Sequence, residues 1–152
     1  MVSYNQPLKD PVNKVHEELD TRASEIMNRS YVTIKSEQNI TEVAKVIAEN
    51  GLTGAPVVND RGMLIGVISE KDCLKYLLDL KYYNSEDAPV SKYMSKTVMT
   101  IDESEKLMYM TELFIKNNYQ LYPVIDEDGL LKGVITRSIL FKELNKLSQT
   151  NW

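Results

Sequence analysis

Pro-Val-Val-Asn-Asp-Arg-Gly-Met-Leu-Ile-Gly-Val-Ile-Ser, from Pro56 to Ser69, returns 67 residues later as Pro-Val-Ile-Asp-Glu-Asp-Gly-Leu-Leu-Lys-Gly-Val-Ile-Thr, from Pro123 to Thr136. Outward from this stretch the match stays in register without a gap from Met27–Leu78 to Met94–Asn145, and 13 of those 52 positions are identical. Many others are like for like, as with Ser69 and Thr136, Val58 and Ile125, and Arg29 and Lys96. Unrelated segments would lose register at the first turn, so the chain is an internal duplication. Two copies imply two similar sites, or one site between them.

Each copy predicts the same order of elements. A short extended piece (Tyr31 to Ile34; Val98 to Ile101) precedes a helix with Ile40, Val43, Ala44 and Ile47 on one face, matched by Leu107, Met110, Thr111 and Phe114. Asn39 with Glu42 three residues on is a capping pair, and Asn50-Gly51 supplies the stop. Ala55 to Val58 and Met63 to Ile68 then read as two strands around the turn Asn59-Asp60-Arg61-Gly62. Such a hairpin needs a positive φ, which Gly62 or Gly129 can adopt without a Cβ clash. The second helix carries Leu74, Leu77 and Leu78 in one copy and Leu140, Phe141, Leu144 and Leu147 in the other. The unit is therefore β-α-β-β-α, and the fold class is α/β in the α+β sense.

At 152 residues and 43% hydrophobic the chain suits one compact body. Halves of about 60 residues would each be marginal alone, because small units bury too small a share of their surface, so the copies are expected to share a core. The expected divisions are an N-terminal segment (1–21), a first repeat (22–79), a linker (80–88), a second repeat (89–147) and a tail (148–152). Within the first segment Asp10-Pro11 reads as a helix cap, with Val12, Val15 and Leu19 at helical spacing. That helix would lie on the core or on a second subunit.

Charge and side-chain chemistry exclude several functions. With 22 acidic against 18 basic side chains and no basic block, the chain has no footprint for a nucleic-acid backbone. No apolar stretch reaches 18 residues, so membrane insertion is not expected and a soluble, cytoplasmic protein is. Cys73 stands alone and follows a strand into a helix, as a small buried hydrophobe in a reducing compartment would. His16, the single histidine, lacks the clustered ligands a metal needs. Nothing assembles a base, nucleophile and metal, so the chain is not expected to be an enzyme or to need a cofactor.

The doubled pattern Pro-Val-hydrophobic-acidic-x-x-Gly-x-hydrophobic-x-Gly-Val-hydrophobic-Ser/Thr, set in two β-α-β-β-α units, resembles a pair of cystathionine-β-synthase (CBS) domains, the Bateman module. The resemblance runs from about Arg22 to Leu147. It implies a pseudo-twofold pair packed through its sheets, with clefts between the domains that bind adenosine ligands such as AMP, ADP, ATP or S-adenosylmethionine. It also implies further pairing into a disc-like homodimer, and a regulated partner on a separate chain, since residues 1–21 and 148–152 leave no room for an effector domain. The expected role is an adenine-nucleotide sensor, with a ligand-independent dimerisation or protein-interaction module as the alternative.

In the first copy Gly66-Val67-Ile68-Ser69-Glu70-Lys71-Asp72 keeps the family's Gly-hydrophobic-hydrophobic-Ser/Thr-x-x-Asp in full. Ser69 at a helix start can hold a phosphate together with first-turn N–H groups, and Asp72 can accept from a ribose 2′,3′-diol. The same tetrapeptide is also close to a capping box, which needs no ligand, and an empty protein could use the cap that a nucleotide then displaces. In the second copy Thr136 keeps the hydroxyl, but Ile139 stands where the aspartate would be. An unpartnered diol costs about 1–3 kcal/mol to desolvate, so one good nucleoside site per chain is expected, around Asp72.

Further positions follow from the resemblance. Thr53, Gly54 and Ala55, and in the second copy Gln120, Leu121 and Tyr122, would line the base and phosphate region; Tyr122 could stack on a ring or fill core. Thr33 and Ile34 would form another wall of the purine pocket. Lys71 and Arg137 lie near the two helix starts as partners for an α-phosphate, with Lys35 a third cation, and each also fits a solvated surface.

Overall fold

The structure is a computed structural model that describes residues 20–83 and 86–150, with the side chain of Thr150 outside the described set. The expected N-terminal helix, His16 included, lies outside these residues. Each copy builds a three-stranded sheet. In the first, β1 (Ile34–Lys35) runs parallel to β2 (Gly54–Val58), which pairs antiparallel with β3 (Leu64–Ser69). In the second, β4 (Ile101–Asp102), β5 (Leu121–Ile125) and β6 (Leu131–Thr136) repeat that order. The short strands begin at Ile34 and Ile101, later than the extended pieces the sequence suggests. Only from those residues does the backbone reach the neighbouring strand.

Five helices accompany the sheets among the described residues: α1 (Ala23–Ile26), α2 (Ile40–Glu49), α3 (Glu70–Tyr82), α4 (Leu107–Lys116) and α5 (Arg137–Thr150). Ile40, Val43 and Ile47 bury one face of α2, and Leu107, Met110 and Phe114 the matching face of α4. Asn39 caps α2 by accepting from the Thr41 and Glu42 N–H groups, and the helix stops at Gly51, whose φ of +60° few side chains tolerate. Gly62 and Gly129 take φ of +77° and +82° in the hairpin turns, as the turn chemistry requires. The helix α3 continues to Tyr82, and so absorbs the first residues of the expected linker.

The second helices differ from their sequence reading. On α3 the buried side chains are Cys73 and Tyr76, while Leu74, Leu77 and Leu78 are 65%, 44% and 51% exposed. Tyr76 wins the inward position because its ring meets Tyr93 edge-on, and its hydroxyl bonds that of Thr41. On α5 Leu140 is buried and Phe141 is 68% exposed.

The copies are joined by an exchange of lead-in segments. Ala23 and Met27, at the very start of the first copy, are buried in the core of the second with Ile101, Met110 and Ile135. Val90, in a 3₁₀ turn (Val90–Lys92) at the start of the second copy, is buried in the core of the first. Backbone pairing fixes the exchange: Asn28 bonds Val134 of β6 in both directions, at 2.9 and 3.0 Å, and Ser95 bonds Val67 of β3 at 2.9 and 3.0 Å. Each sheet is thus extended by a residue from the other copy.

Candidate functional site

Two clefts open between the copies, related by the sequence's own 67-residue offset. Thr53, Gly54, Gln120 and Leu121 line both. The larger cleft, about 860 Å³, takes the start of α3, Ser69 to Asp72, as one side. The second copy's lead-in, with Ser95, Thr97, Val98 and Met99, forms another, and the end of α4 from Lys116 to Tyr119 a third. The smaller cleft, about 280 Å³, has Thr136, Arg137 and Ser138 at the start of α5 and Ser30, Tyr31 and Val32 from the first copy's lead-in.

At the start of α3 the capping box is formed. Asp72 Oδ2 accepts from the Ser69 N–H at 2.9 Å and the Ser69 hydroxyl at 2.8 Å, while Ser69 Oγ accepts from the Asp72 N–H at 3.2 Å. The Glu70 N–H donates to the Thr53 carbonyl at 3.1 Å. Two first-turn donors therefore already have partners, so a phosphate here would rely on the Ser69 hydroxyl, the helix dipole and nearby cations. Both bonds into the carboxylate end on Oδ2, which leaves the Oδ1 lone pairs outside the box. The start of α5 repeats the backbone geometry, with Arg137 N–H to the Gln120 carbonyl and Ile139 N–H to Thr136 Oγ1, both at 3.3 Å. It has no carboxylate to repeat the rest.

Ser69, Lys71, Asp72, Thr53 and Gly54 thus come together on the larger cleft, while Thr136 and Arg137 lie on the smaller. The side chains at other expected positions lie away from the clefts. Ile34 (3% exposed) and Ala55 (1%) point into the first core, and Tyr122 (0%) fills the second. The Tyr122 hydroxyl donates to the Leu113 carbonyl at 3.0 Å, its ring packs edge-on against Phe114, and burial pushes its phenol above the ordinary range. Thr33 is exposed and is not among the residues lining either cleft. Lys35 is spent on the hairpin turn, donating to the Asn59 carbonyl at 2.8 Å and reaching Asp60 at 3.5 Å.

Tyr31 and Val32, two residues before the expected Thr33 and Ile34, line the smaller cleft. Their counterparts, Val98 and Met99, line the cleft of Asp72. Lys75, Lys116 and Tyr119 also line that cleft and carried no signal in a single copy read alone. Gly54 lacks a side chain for a packing reason: a Cβ there would sit 2.9 Å from the Ile68 carbonyl oxygen of β3. Directly behind Asp72, the buried Cys73 thiol is pushed up first by burial and then by the Asp72 and Glu70 charges. Among the described residues no group of His, Cys, Asp and Glu could hold a metal, and no helix is long and apolar enough to cross a membrane.

Comparison with known proteins places this geometry. The CBS domain profile matches residues 23–79 and 90–146. An uncharacterised protein of Methanocaldococcus jannaschii is 31% identical over 120 residues, 79% of this chain, which spans 41% of that relative's length. The CBS-pair protein CBSX2 from Arabidopsis thaliana, solved in complex with AMP, aligns with a TM-score of 0.72 at 22% identity, covering 84% of this chain and 98% of that one. The CBS domain pair of protein MJ0100, in complex with 5′-methylthioadenosine and S-adenosyl-L-methionine, aligns with a TM-score of 0.72 at 24% identity, covering 83% and 97%. At these identities the structural likenesses establish the fold. The chain belongs to the CBS domain family and carries two copies of the domain in tandem.

Proposed function

We propose that this chain is a regulatory module that binds an adenine nucleotide (AMP, ADP or ATP) in the cleft of Asp72 and relays its occupancy to a separate partner. One observation carries the reading. A carboxylate with a spare oxygen and a hydroxyl stand three residues apart at a helix start, in a cleft of about 860 Å³. A ribose diol can donate to Asp72 Oδ1 while Ser69 turns its hydroxyl to a phosphate. The sister cleft, at about 280 Å³ and with Ile139 in place of the carboxylate, is expected to stay empty, bind weakly or take a different ligand. The ligands bound by CBSX2 and by the MJ0100 pair, all adenosine compounds, support the class.

Binding shifts a conformational equilibrium only through preference for one state. A ligand touching both the start of α3 and the second copy's lead-in favours states in which the copies stay closed on each other. The exposed Leu77 and Leu78 on α3 and Phe141 on α5 are the side chains expected to pair with a second copy, through which such a change would be read. Thermal unfolding with millimolar nucleotide tests the reading. A ligand at 100 times its Kd stabilises by about 2.7 kcal/mol, with one nucleotide per chain by calorimetry. Asp72→Ala weakens binding tenfold or more, and costs about 0.5–1.5 kcal/mol of stability for each lost hydrogen bond to Ser69. A melting temperature that stays flat across AMP, ADP, ATP and S-adenosylmethionine would remove the proposal.

A further inference from the structure

We infer that the cleft of Asp72 selects nucleotides carrying two or three phosphates over AMP, an inference that rests on the nucleotide reading above. Three ammonium groups line this cleft: Lys71 and Lys75, one helical turn apart on α3, and Lys116 at the end of α4. None of the three takes part in the ion pairs found among the described residues, which join Lys35, Lys45, Lys106 and Lys146 to other carboxylates. The acids in the lining are Glu70 and Asp72, and Asp72 is already engaged by Ser69. A single α-phosphate at Ser69 needs at most one of these cations beside the helix start. Three converging on one cleft match the charge of a chain of phosphates.

Duplication alone does not account for the cluster. At the place of Lys71 the second copy has Ser138, and at the place of Lys116 the first copy has Glu49. Lys142 is identical with Lys75 across the repeat, yet the smaller cleft is lined by a single cation, Arg137. The positive charge has accumulated on the side that holds the carboxylate. Volume agrees, since the larger cleft has about 860 Å³ against about 280 Å³ in its sister.

Isothermal titration of the full chain with adenosine, AMP, ADP and ATP, without divalent cations and at two salt concentrations, tests this. ADP and ATP are expected to bind at least tenfold tighter than AMP, a difference of about 1.4 kcal/mol, and that advantage shrinks as salt rises. In the double variant Lys75→Ala/Lys116→Ala the ATP-to-AMP affinity ratio falls towards one, with an unchanged melting temperature showing that the fold persists. AMP binding as tightly as ADP and ATP overturns the inference while leaving the nucleotide reading intact. A ratio preserved in the double variant overturns the assignment to these lysines. Failure of all four ligands to bind overturns both readings together.

Discussion

Gly66 and Gly133 have only a hydrogen where other residues carry a side chain, and that is what lets each lead-in segment cross the other copy's sheet. A Cβ at Gly133 would lie 2.6 Å from Met27 Sδ and 3.0 Å from the Asn28 carbonyl oxygen; at Gly66 it would lie 2.8 Å from both Met94 Sδ and the Ser95 carbonyl oxygen. Neither glycine takes a positive φ, so the constraint is space rather than backbone conformation. Gly133→Ala is expected to cost about 1–3 kcal/mol by urea unfolding, as overpacking does. Gly66→Ala costs a similar amount and also weakens nucleotide binding, because it displaces Ser95 from the cleft wall. The repetition of these glycines is plain in the sequence, but its reason is not, since the atoms they make room for belong to the other copy. Cys73 was legible as a buried hydrophobe. Its raised thiol predicts slow alkylation by iodoacetamide at pH 8 and rapid reaction once urea exposes it.

Among the elements, α2 and α4 could be read directly because their buried positions follow the helical period. The period misleads on α3. Its leucines face outward because Tyr76, held by Tyr93 and Thr41, takes the inward place that apolarity alone would give to Leu77. A tyrosine's preference is set by partners distant in sequence. The start of α2 shows the same dependence: Asp87, beyond the end of α3, accepts from the Asn39 amide, from Thr41 Oγ1 at 3.0 Å and from the Ala88 N–H at 3.0 Å. The Asn39 bond, with help from Thr41 and Ala88, holds its carboxyl below the usual carboxylate range. A carboxylate depressed in the folded state stabilises above its unfolded pKa and loses that stabilisation as pH falls through the folded one. The stability gap between wild type and Asp87→Ala is therefore expected at pH 7 and should close as pH drops below about 3.8, measured by urea midpoints across that range.

For the molecule as a whole, the duplication, the unit β-α-β-β-α and the hairpin turns were legible from one sequence. The lead-in exchange was not, because periodicity describes neighbours along the chain and the exchange pairs Met27 and Asn28 with residues more than 70 positions away. The candidate site suffered in the same way. Its helix-start half, Ser69 to Asp72, is local and could be read; its opposite wall, Val98 and Met99, comes from the other copy. The two hairpin tips also meet, Leu64 N–H with the Gly129 carbonyl at 3.4 Å and Leu131 N–H with the Gly62 carbonyl at 3.3 Å.

Each copy thus carries the plug for the other's interior and none for its own. A gene cut within the connector would yield two polypeptides that each expose an unfilled socket and dangle an unplaced stopper. Purified separately they should bind a hydrophobic dye and resist crystallisation; mixed in equal amounts they should recover one sharp melt and nucleotide capture, giving a self-reconstituting reporter. Independent folding of either fragment would show that the swapped plugs are ornamental.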